Sequence, residues 1–184
     1  MQDRKTSIDP IAIIGAGPIG LITALGLAHH GIPSILYEDD RTLSLDTKAG
    51  TILTRTLEIF RRFGVADAVL SKALRVEEIG EIDRQSGKST FPVMLSELES
   101  ETRYPFVINL PQQDLEPVLA EAALKTGLVQ IKMGHRFERY EDHGDRVSLH
   151  LVADGRPVVA SAPFLLACDG GRSTVRAQMG VKVE

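Results

Sequence analysis

Six residues near the N-terminus, Gly15-Ala16-Gly17-Pro18-Ile19-Gly20, constrain the fold more than any other part of the chain. They read Gly-x-Gly-x-x-Gly and follow Ile11-Ala12-Ile13-Ile14, an apolar run with the length and composition of a parallel strand covered on both faces. Behind them, Ile19 to His30 carries Leu21, Leu25 and Ala28 at helical spacing, and Gly31 closes the predicted helix. Ser34 to Tyr37 is a second β-rich run, ending at Glu38-Asp39-Asp40. Strand, tight turn, helix and strand in that order make a βαβ unit.

Each glycine has a separate physical task. Gly15 permits the tight turn, Gly17 lets the backbone approach a pyrophosphate, and Gly20 lets helix and strand pack closely. The helix N-terminus, with Ile19 following Pro18, then offers free N–H groups beyond the proline and a partial positive charge to phosphates. Glu38 falls at the tip of the second strand, where its carboxylate can accept hydrogen bonds from an adenosine ribose. A carboxylate there repels a 2′-phosphate, so this site favours FAD or NAD(H) over NADP(H). The fingerprint alone leaves FAD and NAD both open. Asp39 and Asp40 read as solvated.

Ile11 to Ala28 is uncharged and long enough to suggest a membrane span or a signal peptide. Gly15, Gly17, Pro18 and Gly20 interrupt it, and no small-x-small cleavage site follows, so neither is expected. The 21 Lys and Arg residues are scattered among 25 acids, for a net charge of −4, which provides no basic field for nucleic acid. Cys168 is the one cysteine, so no intrachain disulfide can form and a reduced, cytoplasmic setting is expected. The five histidines have no metal-ligand spacing, and no metal site is expected. There is no Gly-x-Ser-x-Gly elbow, phosphate loop ending in Gly-Lys-Ser/Thr, or His-Glu-x-x-His, and no catalytic side chain stands out. Cys168 reads as a packed small residue.

Further along, Leu53, Leu57 and Phe60 mark an amphipathic helix that stops at Gly64. Residues 74–110 alternate in short segments, with the turn Ser86-Gly87 followed by Phe91 to Leu95 and Phe106 to Leu110, and read as antiparallel strands over or beside the first sheet. A helix is predicted from about Gln113 to Lys125, with Pro117 tolerable only in its first turn. His143-Gly144-Asp145 links Phe137–Tyr140 to Val147, Leu149 and Leu151 as a hairpin. Phe164 to Ala167 reads as a buried strand running into Cys168-Asp169-Gly170-Gly171, with a short helix from about Ser173.

Asp169-Gly170-Gly171-Arg172-Ser173-Thr174-Val175-Arg176 resembles the Asp-Gly-x-x-Ser-x-x-Arg motif of the class A flavoprotein monooxygenases, the family of p-hydroxybenzoate hydroxylase. A strand ending in Asp-Gly, with Ser173 as N-cap, is also ordinary turn chemistry. The resemblance implies that Asp169 and Gly170 contact the cofactor and that Arg176 supports the motif or NAD(P)H binding. Lys48-Ala49-Gly50 stands where the family has Arg-Ala-Gly near the flavin; Lys48 keeps the charge without arginine's bidentate fork. Gln112, in Gln112-x-x-Leu115-Glu116, resembles the family glutamine that contacts the ribityl or phosphate region of FAD, and is otherwise a polar helix-start residue.

The resemblance implies an α/β Rossmann-like fold, a parallel sheet with an antiparallel layer, across one FAD-binding domain in which residues 74–110 are an excursion toward a substrate domain. It further implies that NAD(P)H reduces FAD and that the reduced flavin captures O2 as a C4a-hydroperoxide, which hydroxylates an aromatic, phenol-like small molecule. The family's later Gly-Asp motif and main substrate sheet do not occur in these 184 residues. The expectation is therefore a fragment, a truncated gene product or a chain completed by a partner, inactive alone. Another FAD oxidoreductase of the superfamily, an NAD-dependent dehydrogenase and a non-catalytic FAD-binding remnant are the alternatives; substrate identity and oligomeric state stay open.

Overall fold

The computed structural model describes residues 8–45, 47 and 50–182. β1 (Ile11–Ile14), α1 (Pro18–His29) and β2 (Ser34–Tyr37) form the expected βαβ unit, with Ile11 opposite Ser34 and Ile14 opposite Tyr37 in parallel register. Then come β3 (Thr51–Ile52), α2 (Thr54–Arg62), α3 (Ala66–Leu70), β4 (Leu74–Val76), β5 (Glu78–Ile82), β6 (Ser89–Met94) and β7 (Val107–Asn109). The chain closes with α4 (Gln112–Lys125), β8 (Val129–Lys132), β9 (His135–Asp142), β10 (Val147–Ala153), β11 (Arg156–Ala162), β12 (Leu165–Ala167) and α5 (Thr174–Gln178). No helix among the described residues is long and apolar enough to cross a membrane.

Two compact units result, one from Leu45 to Val118 and one from the segments before and after it. In the flanking unit, four parallel strands run in the order β12-β1-β2-β8. The period-2 rule divides the apolar runs between two faces. Ala12, Ile14 and Tyr37 turn to one side and pack with Phe137, Leu149, Leu151, Ala162 and Val175, from the β9–β11 sheet and α5. Ile13 and Leu36 turn to the other and are fully buried, as are Leu21 and Ala24 of α1. α1 carries apolar residues around most of its circumference, in keeping with a helix lying on a buried sheet.

β9, β10 and β11 form an antiparallel meander in the order β11-β10-β9. The hairpin through residues 143–145 is present, and a second one joins β10 to β11 through Asp154 and Gly155, with Ala153 opposite Arg156. Both central residues have positive φ, 49° and 74°, the requirement of a two-residue type I′ turn.

The central unit has a small antiparallel sheet in the order β3-β7-β4 and a separate β5–β6 hairpin. Leu57 and Phe60 of α2 are buried, while Arg55 and Arg61 on the polar face are exposed. Tyr104 and Phe106 meet edge to face, and the Arg75 guanidinium lies 3.9 Å from the Phe106 ring centre.

Two expectations are corrected. Phe164–Ala167 is not a buried strand: among the described residues β12 pairs with β1 alone, and Phe164 lies outside the strand and is 64% exposed. Pro117 is not in the first turn of α4 but is its sixth residue. The helix tolerates it because Pro117 and Gln113, whose carbonyl loses its i+4 donor, are both exposed, so water can replace the missing bond.

Candidate cofactor site

The carboxyl ends of parallel strands are where an open α/β sheet offers a crevice to ligands. Here β1 ends in the glycine turn, β2 in Glu38 and β12 in Cys168-Asp169. Backbone bonds lock the three ends together: Gly15 N–H donates to the Tyr37 carbonyl and Cys168 N–H to the Ile14 carbonyl, each at 2.8 Å.

Gly15 has φ of +100°, and a Cβ there would lie 2.4 Å from the Cys168 carbonyl oxygen. Both conformation and space demand glycine. Gly20 has an ordinary helical conformation, yet a Cβ on it would come 1.9 Å from the Gly15 carbonyl oxygen, so its task is close packing. Gly17 differs: its φ of −68° and ψ of −178° are open to any residue. As N-cap of α1 it has no side chain to bond the first turn, Pro18 supplies no N–H, and no acid lies in that turn. The helix start therefore has no cap and no acid from its own first turn, which leaves the N–H groups of Ile19 and Gly20 without an intrahelical acceptor.

Glu38, half-buried at the tip of β2, is held on both oxygens. Oε2 accepts the Ala16 N–H at 2.7 Å, and Oε1 accepts the Asp40 N–H at 3.1 Å. A carboxylate has about four acceptor positions, so two remain for hydroxyl donors. Asp39 and Asp40 are exposed, as expected.

The Asp169–Arg176 segment is a built loop. Ser173 caps α5, its Oγ accepting the Arg176 N–H at 3.0 Å, and is itself buried. Asp169 Oδ2 accepts the Val175 N–H at 3.2 Å, whereas Oδ1 is buried without a hydrogen-bond partner. A buried acceptor left unpaired costs about 1–3 kcal/mol, which marks a place where a ligand donor would be worth most. The Arg176 side chain donates to the Gly171 carbonyl at 2.6 Å, so it braces the loop from within. Gly170 makes the turn at φ of +75°.

Cys168 is a half-buried thiol with Sγ 3.9 Å from Thr23 Oγ1. Burial pushes the thiol above its ordinary value; the Thr23 contact lowers it, and the neighbouring Asp169 charge raises it again. That suits a packing residue better than a nucleophile. Gln112 is the first residue of α4 in the central unit, and its Nε2 donates to Glu116 Oε1 at 2.6 Å. Glu116 escaped the sequence reading, although its i+4 spacing from Gln112 is visible there. Lys48 lies outside the described residues.

The residues present fit a dinucleotide: a tight glycine turn at the end of β1, an uncapped helix start, a preset carboxylate and an orphaned buried acceptor. Comparisons agree. A family described as "FAD binding domain" matches residues 9–184. Para-nitrophenol 4-monooxygenase of Pseudomonas sp. (strain WBC-3) is 27% identical over 175 residues, which cover 95% of this chain and 43% of that protein. Among solved structures, p-nitrophenol 4-monooxygenase from Pseudomonas putida DLL-E4 superposes with a TM-score of 0.90 at 26% identity, over 96% of this chain and 45% of that one. The flavin-dependent monooxygenase PieE, solved in complex with FAD and substrate, gives 0.86 at 28% identity over 97% of this chain and 33% of that one. The chain thus spans less than half the length of each of these three proteins.

Proposed function

The chain belongs to the FAD binding domain family, and on that premise we propose that it holds FAD for a monooxygenase that uses NAD(P)H and O2 to hydroxylate a small aromatic, phenol-like molecule. One observation carries the reading: Glu38 stands beside the glycine turn with both oxygens oriented by backbone amides and acceptor capacity left for two ribose hydroxyls.

Gly15, Gly17, Pro18, Ile19 and Gly20 then take the adenine half and the pyrophosphate, with the dipole of α1 behind the phosphates. Asp169 Oδ1 and the Gly170 turn face the cofactor, and Arg176 serves them indirectly by holding the Gly171 carbonyl. Lys48 and Gln112 contact the phosphate or ribityl region, as the resemblance implies. Bound FAD supplies the electron transfer and oxygen activation; the chain's own residues bind, orient and shield it. A nitrophenol monooxygenase among the relatives supports the aromatic substrate class. A single cysteine is in keeping with a reducing cytoplasmic setting.

The test is reconstitution. The purified chain, mixed with FAD and desalted, should keep a resolved visible flavin spectrum with altered fluorescence, and NAD(P)H with a phenol panel should yield no hydroxylated product from these 184 residues alone. A colourless protein that leaves FAD fluorescence unchanged on titration overturns the reading.

A further inference from the structure

α5 has five residues, too few to hold a helical conformation unaided, so what fixes it in place comes from outside it. Val175 supplies one anchor, buried in the core cluster with Leu149 and Leu151. Gln178, three residues on and so on the same face, supplies the other. Its Oε1 accepts the Tyr140 N–H at 3.0 Å, and its Nε2 donates to the Tyr140 carbonyl at 2.7 Å. A primary amide offers a donor and an acceptor side by side, as the backbone of a strand does. Among the described residues β9 has β10 as its only strand partner, and the Gln178 amide stands where a second one would pair. The Tyr140 ring packs against the same core cluster as Val175, so both anchors of α5 rest on one body.

Gln178 is exposed, and two hydrogen bonds open to water add little to global stability. Their consequence is local. The Asp169–Ser173 loop takes its shape from α5 through three bonds: the Val175 N–H to Asp169 Oδ2, the Arg176 N–H to Ser173 Oγ, and the Arg176 guanidinium to the Gly171 carbonyl. A helix held at Val175 alone can pivot about that residue and carry the loop with it. The atom displaced is then Asp169 Oδ1, the buried acceptor without a partner. We propose that Gln178 is a positioning residue which, by clamping α5 to the margin of β9, sets the Asp169 carboxylate for the cofactor. β9, α5, Asp169 and the glycine turn all belong to the flanking unit. Resting on the FAD reading above, this role is exercised at one remove: Gln178 acts through the loop and not by contact with the cofactor.

The experiment uses the 184-residue chain and FAD. Gln178→Met keeps the length and helix propensity of the side chain and removes both bonds; Gln178→Glu is isosteric, but its carboxylate cannot donate to the Tyr140 carbonyl. Each should lower the unfolding temperature by no more than about 4 °C. In the unliganded variants, amide hydrogen exchange should rise about tenfold at Val175 and Arg176 and keep the wild-type rate at Ile13 and Leu36, which marks the loosening as local. FAD should bind about three- to tenfold more weakly, the size of one misplaced hydrogen bond. Asp169→Ala should weaken FAD as well, and adding Gln178→Met to it should cost nothing more, because the two residues act as one. If Asp169→Ala weakens FAD while both Gln178 variants bind it like wild type, the positioning role is overturned and the FAD reading stands. Losses that add in the double variant assign Gln178 to general stability and overturn the role too, as does unchanged exchange at Val175 and Arg176. If Asp169→Ala itself binds FAD like wild type, the loop does not serve the cofactor and the proposal falls. A wild-type chain that does not bind FAD removes the underlying reading and the proposal together.

Discussion

Glu38 and Ala16 lie 22 positions apart and are joined by a 2.7 Å bond from the Ala16 N–H to Glu38 Oε2. The acid read as a ribose ligand is thus also a tie between the tip of β2 and the glycine turn. Glu38→Ala should weaken FAD by about 1–3 kcal/mol, the scale of charge-assisted hydrogen bonds, and should lower the unfolding temperature as well. Fluorescence titration and a thermal melt read the two effects; unchanged FAD affinity would sink the ribose assignment.

Gly15 and Gly17 should fail in opposite ways. Gly15→Ala places a Cβ at positive φ against the Cys168 carbonyl oxygen, and should cost about 2–4 kcal/mol of stability. Gly17→Val adopts its backbone conformation without strain and should leave the circular dichroism spectrum intact while abolishing FAD binding. A folded Gly17→Val variant that retains FAD would show the middle glycine to be structural only.

Asp169→Ala separates the loop from its ligand role. The substitution gives up one bond, to Val175 N–H, and removes an orphaned oxygen, so stability should change by no more than about 1 kcal/mol. FAD affinity should fall by at least as much as in Glu38→Ala. Equal losses of stability and affinity, or none of affinity, would make Asp169 a turn residue.

Alkaline stability follows from two groups. Burial raises the Cys168 thiol above 9.0 and the Tyr37 phenol above 10.0. Each binds its proton more tightly folded than unfolded, so the stabilisation is full below those ordinary values and is lost as pH rises through the raised ones. Urea unfolding from pH 7.5 to 10.5 should show stability falling above about pH 9, as the linkage requires. Cys168→Ala should flatten the first part of that fall and Tyr37→Phe the later part. Identical slopes in all three proteins would refute both assignments.

Where local chemistry and tertiary position agree, the sequence is readable. β1 and β2 have the bounds their apolar runs predict, and α1 begins one residue early because Pro18 suits the first helical position. The glycine turn, Glu38 and the Ser173 cap are all legible. β11 was overlooked despite the Asp154-Gly155 turn, since Pro157 argues against a strand; as the margin of its sheet, β11 can spare the N–H. β8 is four residues whose only signal is pairing with β2. Glu116 looked like any charged helical residue, because burial by residues distant in sequence leaves no local trace. The unpartnered oxygen of Asp169 belongs to the same class.

β1 has β2 on one side and β12, about 150 residues later, on the other. The glycine turn leans on the Cys168 carbonyl, which leaves the ribosome only after the whole central unit has been made. A nascent chain can form α1 and the β1–β2 pair early, but their open edge stays exposed until β12 arrives, and so many non-local contacts make for slow folding. The fingerprint in the first forty residues is therefore completed late in the synthesis of this polypeptide, and until then the open edge of β1 is its most exposed site for misplaced strand pairing.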